Sequence, residues 1–305
     1  MKRLLITGAT GFIGEPAVRL ARDHFEVHTA SRAPGPSRAA HHTCDLLDHD
    51  APAKLIRAVR PTYLLHLAWI ATPGTYWTAP DNQKWLEASK RLLVAFAQNS
   101  GRRAVTVGSC AEYDWSAAGV CREADTPTRP HTPYGECKLA LGKWATGFGR
   151  LRDVPTAHAR LFWMYGPREH PARLVPSVAT ALLAGAPALC TAGTQRRDFL
   201  HVDDAAGALV ALLRSTLVGN VNVGSGEPVT VRDVIDRVAH ACGRPELVKL
   251  GARETPMADP PLLAADVSRL RDELGWAPKI DLTSGLEQTV AWWRAAGSEG
   301  ATKCA

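Results

Sequence analysis

Tyr134 and Lys138 stand four residues apart in Thr132-Pro-Tyr-Gly-Glu-Cys-Lys138. On a helix that spacing puts both side chains on one face. A lysine ammonium beside a phenol favours the phenolate and lowers its pKa. A tyrosine held in this way can move a proton to or from an alcohol or a ketone near neutral pH. Ser109 lies 25 residues earlier, at the end of the apolar run Ala104 to Ser109. Ligands bind at the carboxyl edge of parallel strands, and a serine hydroxyl there can hydrogen-bond an oxygen on which charge develops. YxxxK alone is frequent by chance; the serine turns it into a set.

A second constellation lies near the start. Gly8, Gly11 and Gly14 form GxxGxxG inside Gly-Ala-Thr-Gly-Phe-Ile-Gly, directly after the apolar run Leu4 to Thr7. The first glycine permits a tight turn, the second lets the backbone approach a pyrophosphate, and the third lets helix and strand pack closely. The helix that follows offers free N–H groups and a positive dipole end to an anion. With a strand before it and a helix after it, the loop reads as a dinucleotide site. The second strand ends at Ala30-Ser31-Arg32, with no acidic residue for a ribose 2′-hydroxyl. Serine and arginine suit a 2′-phosphate, so the expected cofactor is NADP(H), with NAD as the alternative. Asp45-Leu46, after a third strand, can meet the adenine ring, or Asp45 can cap a helix.

These groups need a frame that brings strand ends together. Leu4–Thr7, Phe25–Ala30, Tyr63–Ala68, Ala104–Ser109 and Thr156–Phe162 read as buried strands, and 12–23, 52–59, 82–99 and 134–149 as helices between them. That alternation predicts an α/β fold, a Rossmann doubly wound parallel sheet with helices on both faces. After Gly166-Pro167 the texture turns rich in proline, alanine and arginine. A smaller C-terminal α/β substrate lobe is therefore expected over 167–305, beside a dinucleotide-binding domain over 1–166, with segments near 199–224 returning to the first lobe. Helices are expected at Asp203–Leu213, Thr230–Ala241 and Leu282–Ala295, the last with Trp292 and Trp293 packed into the core, and a strand at Val221–Gly224.

Composition narrows the classes. The chain has 305 residues and a net charge of +6, with 46% hydrophobic and 22% charged residues, which fits a globular protein and not a disordered one. No apolar run is long enough to span a membrane. The basic, apolar start is too short and too glycine-broken for a signal peptide. Seven cysteines without a CxxC pair suit reduced thiols in the cytoplasm and no metal site. The arginines are dispersed and no nucleic-acid motif appears, so nucleic acid is not an expected partner.

The chain resembles the extended short-chain dehydrogenase/reductase family, the NAD-dependent epimerase/dehydratase group that acts on nucleotide sugars. The resemblance rests on the glycine loop, His66-Leu67-Ala68, Ser109 four residues before Tyr113, YxxxK at 134–138, Tyr165-Gly166-Pro167, the run Arg197 to Asp204, Asn222 to Gly226, and Leu274-Gly275-Trp276. It implies that Tyr134 is the general acid/base, that Lys138 positions the nicotinamide ribose and that Ser109 holds the reacting oxygen. It further implies a cofactor site at Gly8, Thr10, Gly11, Phe12, Ile13, Gly14, Ser31, Arg32, Asp45, Leu46, Leu67 and Ala68, with Tyr134 and Lys138. A nucleoside-diphosphate sugar would meet Arg197 and Arg253 in the C-terminal lobe, and a homodimer would form through two long helices.

Departures from the family pattern decide among reactions. Its 4,6-dehydratases carry an Asp–Glu pair directly after the serine or threonine; here Cys110 and Ala111 stand there. Alanine cannot be a base, so that dehydration is disfavoured. Cys110 remains a candidate contact to substrate, or a small buried residue. Trp163 replaces the usual asparagine before Tyr-Gly-Pro and can stack on a sugar or fill core space. Trp85 also stands where many relatives carry asparagine. The stretch Trp69 to Trp77 is expected to form a loop over the nicotinamide or the sugar. The expected activity is an NADPH-dependent reduction of a nucleoside-diphosphate 4-keto-6-deoxyhexose. The alternative is a 4-epimerase with tightly bound NAD, ahead of a non-catalytic dinucleotide sensor or an unusual sugar-nucleotide dehydratase.

Overall fold

Parallel strands buried on both faces read as unbroken apolar runs, and Leu4, Leu5 and Ile6 in the first strand have no exposure. The computed structural model describes residues 2–33, 39–117, 119–254 and 259–303, the last six by backbone alone. In chain order the strands are β1 Arg3–Thr7, β2 Glu26–Ser31, β3 Ala40–Thr43, β4 Tyr63–His66, β5 Arg103–Ser109, β6 Val120–Cys121, β7 Thr156–Leu161, β8 Trp163–Tyr165, β9 Ala188–Leu189, β10 Arg196–His201, β11 Gly219–Val223, β12 Pro228–Thr230, β13 Val248–Lys249 and β14 Leu262–Ala265. The helices are α1 Gly14–Ala21, α2 Ala51–Val59, α3 Asp81–Gln98, α4 Pro133–Leu151, α5 Leu174–Leu183, α6 Val202–Arg214, α7 Val231–Cys242 and α8 Leu282–Lys303.

Seven strands form one sheet in the order β11-β7-β5-β4-β1-β2-β3, and every pairing in it is parallel. The order reverses between β1 and β4, which is where a crevice opens at the carboxyl ends of the strands. β11 belongs to this sheet although it follows β8 to β10 in the chain, and α6 packs on α1. A second sheet, β12-β10-β14-β6 with β8 on β10, carries the C-terminal half. α5, α7 and α8 close a separate core around Val178, Leu182, Val234, Val238, Leu286 and Val290.

The main α/β alternation is as read from the sequence, with ends shifted by a few residues. α5, β8, β10 and the two-residue strands are not legible as runs. Trp292 and Trp293 differ from the core expectation. They are half-buried, pack edge to face at 4.9 Å, and line an open cavity of about 570 Å³ with Phe12, Arg168 and Glu169. Leu286 and Val290 carry the buried face of α8 instead. Among the described residues no helix is long and apolar enough to cross a membrane.

The glycine loop is built as a cradle. Gly8 has φ +69°, and a Cβ there would lie 2.8 Å from the Ala68 nitrogen. A Cβ on Gly14 would lie 2.2 Å from the Gly8 carbonyl oxygen, so the missing side chain lets α1 lie hard against the end of β1. Gly14→Ala therefore forces backbone apart, at a cost of about 1–3 kcal/mol. It should lower the melting temperature and weaken dinucleotide binding at least tenfold, read by calorimetric titration. Unchanged binding would show that this contact does not shape the loop.

Candidate active site

Ser109 ends β5 in extended geometry (φ −152°, ψ 153°) and caps the short 3-10 turn Cys110–Glu112. Its hydroxyl oxygen accepts the Ala111 N–H at 3.1 Å, and its own N–H donates to Glu112 Oε1 at 2.9 Å. That reciprocal pair is a capping box. α4 docks on the same turn. Thr132 caps it by accepting the Gly135 N–H at 3.1 Å, and Pro133 suits the first helical position. Gly135, inside the YxxxK motif, has no room for a side chain: a Cβ would lie 2.4 Å from the Ala111 carbonyl oxygen. This close approach brings the Tyr134 phenol near the Ser109 side chain, which favours the phenolate.

Tyr134 sits in the first turn of α4, where the helix dipole favours negative charge. Burial nevertheless pushes its phenol above the ordinary value; the neighbouring Tyr76 phenol adds to this, and the Ser109 hydrogen bond pulls back. Tyr76 and Trp77 stand edge-on to its ring at 4.8 and 5.5 Å, and the Tyr134 N–H donates to the Trp77 carbonyl at 3.1 Å. The loop Trp69 to Trp77 thus lies over the tyrosine, and Arg173 lies over the Tyr76 ring at 5.2 Å.

Lys138 is buried. Its ammonium donates to the Val107 carbonyl at 2.9 Å and lies 4.0 Å over the Trp69 ring, but 5.8 Å from the Tyr134 ring centre. Burial lowers its pKa to about 7, partly opposed by the Glu112 charge. The i,i+4 spacing does place it on the tyrosine's face. The side chain then reaches back to the β5 carbonyl rather than toward the phenol oxygen, so in this geometry burial outweighs any lysine effect on the phenol.

Glu112 is the residue that sequence reasoning missed. It has no exposure. Burial pushes its carboxyl up, but His158 and Arg160 outweigh that and hold it down at about 2. Its signal was present as Ser109-Cys-Ala-Glu112, the S-x-x-E pattern of a capping box. His66, at the end of β4, bridges Thr7 and Ser89 at 2.7 Å on each ring nitrogen, and burial keeps it neutral, with a pKa of about 3.

The other candidates divide. Cys110 is buried beside Ser109, and burial pushes its thiol far up. Trp163, in β8, is half-buried and packs against two of the core clusters, with Arg197 over its ring at 5.1 Å. Arg197 is buried, donates to the Arg196 carbonyl at 2.7 Å and pairs with Asp259. Arg253 is exposed and its N–H donates to the Cys190 carbonyl at 3.1 Å. Trp85 is core, 6.4 Å from Trp69.

The cradle residues fit a dinucleotide. Thr10 and Gly11 are exposed at the loop tip, with Phe12 and Ile13 half-buried behind them. Ile13 precedes α1 without a side-chain cap, which leaves the first-turn N–H groups to an anion. The Leu67 and Ala68 N–H groups donate to the Thr7 carbonyl and hydroxyl at 3.2 and 3.3 Å, closing the wall beside Gly8. Asp45 accepts the Leu47 N–H at 3.0 Å and Leu46 is buried.

A model of the NAD dependent epimerase/dehydratase family matches residues 4–224. The chain belongs to that family. It is 28% identical over 317 residues to the UDP-glucose 4-epimerase of Mycolicibacterium smegmatis, covering 96% of this chain and 98% of the relative. Among solved structures it is similar to the Thermus thermophilus UDP-glucose 4-epimerase complex with NAD. That match has 28% identity and a TM-score of 0.84, covering 96% of this chain and 99% of the other. It is also similar to MoeE5 in complex with UDP-glucuronic acid and NAD, at 29% identity and a TM-score of 0.83 over 96% and 99%.

Those complexes overturn the expectation of NADP(H): both relatives hold NAD. The structure supplies a physical reason. The Ser31 hydroxyl donates to the Ala33 carbonyl at 2.8 Å and Arg32 is exposed, so among the described residues the strand end offers no preformed clamp for a 2′-phosphate.

The Lys138 shift predicts a pH effect. Its pKa is about 7 folded against an ordinary value of 10.5. Between these the unfolded chain binds the extra proton, so stability rises with pH, by about 1.4 kcal/mol per unit. Lys138→Met should lack this rise. Urea denaturation of both proteins from about pH 7 to pH 10 reads it, and parallel pH profiles would contradict the burial of an ionisable lysine.

Proposed function

We propose that this chain is a nucleotide-sugar 4-epimerase working with a tightly held NAD. The carrying observation is the gathering of Ser109, Tyr134 and Lys138 at one strand end with Cys110 and Ala111 beside them. A proton carrier and a hydroxyl anchor are in place, while the positions next to the serine hold no carboxylate to drive loss of water. Similarity to 4-epimerases along almost the whole chain favours this reading over the 4-ketoreductase, whose main support was the expected NADPH.

Tyr134, as the phenolate that Ser109 and the α4 N-terminus favour against burial, takes the proton of the sugar 4-hydroxyl and later returns it. Ser109, whose side chain favours the phenolate, holds the same oxygen. Lys138 presents its ammonium to the ribose beside Trp69. NAD held on the Gly8–Gly14 loop would supply reversible hydride acceptance at C4, which permits inversion there with no net consumption of cofactor. The aromatic loop of Tyr76 and Trp77 keeps water from the phenol. Arg197 meets the diphosphate by exchanging the Asp259 carboxylate for a phosphate oxygen, a chemistry that suits arginine. The cofactor lobe is 1–166 and the sugar-nucleotide lobe mainly 167–305, in a cytoplasmic homodimer.

Purified protein should interconvert two 4-epimeric nucleoside-diphosphate hexoses without added cofactor and should carry NAD. Consumption of NAD(P)H with a 4-keto sugar nucleotide, and no interconversion, would restore the reductase. Tyr134→Phe should lose turnover by about 10²–10⁴-fold, the usual range for a proton carrier, with its NAD content unchanged. A near-normal rate in that variant would remove Tyr134 from the role given to it.

A further inference from the structure

We propose that Glu112 is a positioning residue of this reaction, acting through Ser109 and Lys138 without touching substrate. Its kinetic arm rests on the epimerase reading above. One Glu112 oxygen accepts the Ser109 N–H at 2.9 Å and the His158 ring at 3.0 Å; the other accepts Arg160 Nε at 2.8 Å. Arg160 donates to the Tyr113 hydroxyl at 3.1 Å, and that hydroxyl donates to Asn222 Oδ1 at 2.7 Å. A single carboxylate thus anchors the end of β5 to β7 and, through Tyr113, to β11. There is no slack around it: a Cβ on Gly108 would lie 2.1 Å from Glu112 Oε1.

The consequence for Ser109 is directional. A hydroxyl has one donor and two acceptor sites. The capping box engages an acceptor site with the Ala111 N–H, which leaves the proton to point toward Tyr134 and the substrate oxygen. The second consequence is charge. The titratable groups around the Lys138 ammonium are Glu112 from the turn after β5, His66 at the end of β4, and Tyr134 and Cys137 on its own helix. His66 is kept neutral, and burial raises Tyr134 and Cys137 so that they too stay neutral. Glu112 is the anion of this group.

A merely structural ion pair would matter for stability alone. Replacing a buried pair by apolar residues of similar volume is often tolerated, so Glu112→Leu combined with Arg160→Met serves as the first variant. With NAD retained, its kcat should fall about 10²-fold, the scale of a 1 Å misplacement, while KM for the sugar nucleotide stays within about twofold. Glu112→Gln, which keeps the shape and removes the charge, is the second. Its rate relative to wild type should be lowest at alkaline pH and recover as pH falls and Lys138 regains its proton. In ¹⁵N-lysine spectra the Lys138 ammonium should titrate at lower pH than in wild type. A folded double variant with wild-type kcat, a pH-independent loss in Glu112→Gln, or an unmoved Lys138 titration overturns the proposal. If wild type shows no interconversion, the epimerase reading falls and the Lys138 titration still decides this one.

Discussion

A carboxylate with no exposure sits where β5 turns toward α4, and the geometry of the site depends on keeping it satisfied. An isolated buried charge is not tolerated. Glu112 survives because three donors converge on it, one of them the backbone of Ser109. Removing a partner from such a group typically costs about 3–5 kcal/mol. Neighbouring positions are shaped by it. His158 is fixed from the other side by Thr106 at 2.8 Å, and side chains on Gly108 and Gly142 would lie 2.3 and 2.5 Å from its ring. Residues that look like ordinary small positions in a strand and a helix are thus the space the ion group needs.

The frame was legible in the sequence because its physics is local. Buried parallel strands show as runs such as Leu4 to Ile6, and the glycine loop shows as spacing. Ser109, Tyr134 and Lys138 were legible for the same reason, since a strand end and an i,i+4 pair are short-range patterns. What stayed hidden was set by pairing across the chain. Arg197 looks like a free phosphate binder until Asp259, 62 residues away, is found beside it. Arg160 reads as a strand residue until Glu112 meets it from the turn after β5. α5 was hidden by its setting, a helix that follows a proline- and arginine-rich stretch.

The cofactor shows where residue type alone misleads. Serine and arginine at a strand end have the right chemistry for a phosphate, but chemistry requires direction. The Ser31 hydroxyl is turned into its own loop by the Ala33 carbonyl. The glycine loop, by contrast, rests on backbone shape, which three glycines constrain more tightly than two flexible side chains constrain a charge preference.

The same Glu112 charge acts on Lys138 and Tyr134 in opposite senses for catalysis. It favours the ammonium, which is useful, and it opposes the phenolate, which is not. For Lys138 the Glu112 charge is the largest influence after burial. For Tyr134 it ranks behind burial, Tyr76, the Ser109 hydrogen bond and Cys110. The arrangement therefore supports the lysine more than it burdens the tyrosine. The helix N-terminus under Tyr134 and the Ser109 hydroxyl both work toward the phenolate, so in the proposed mechanism the two halves of the proton carrier are supported by different groups.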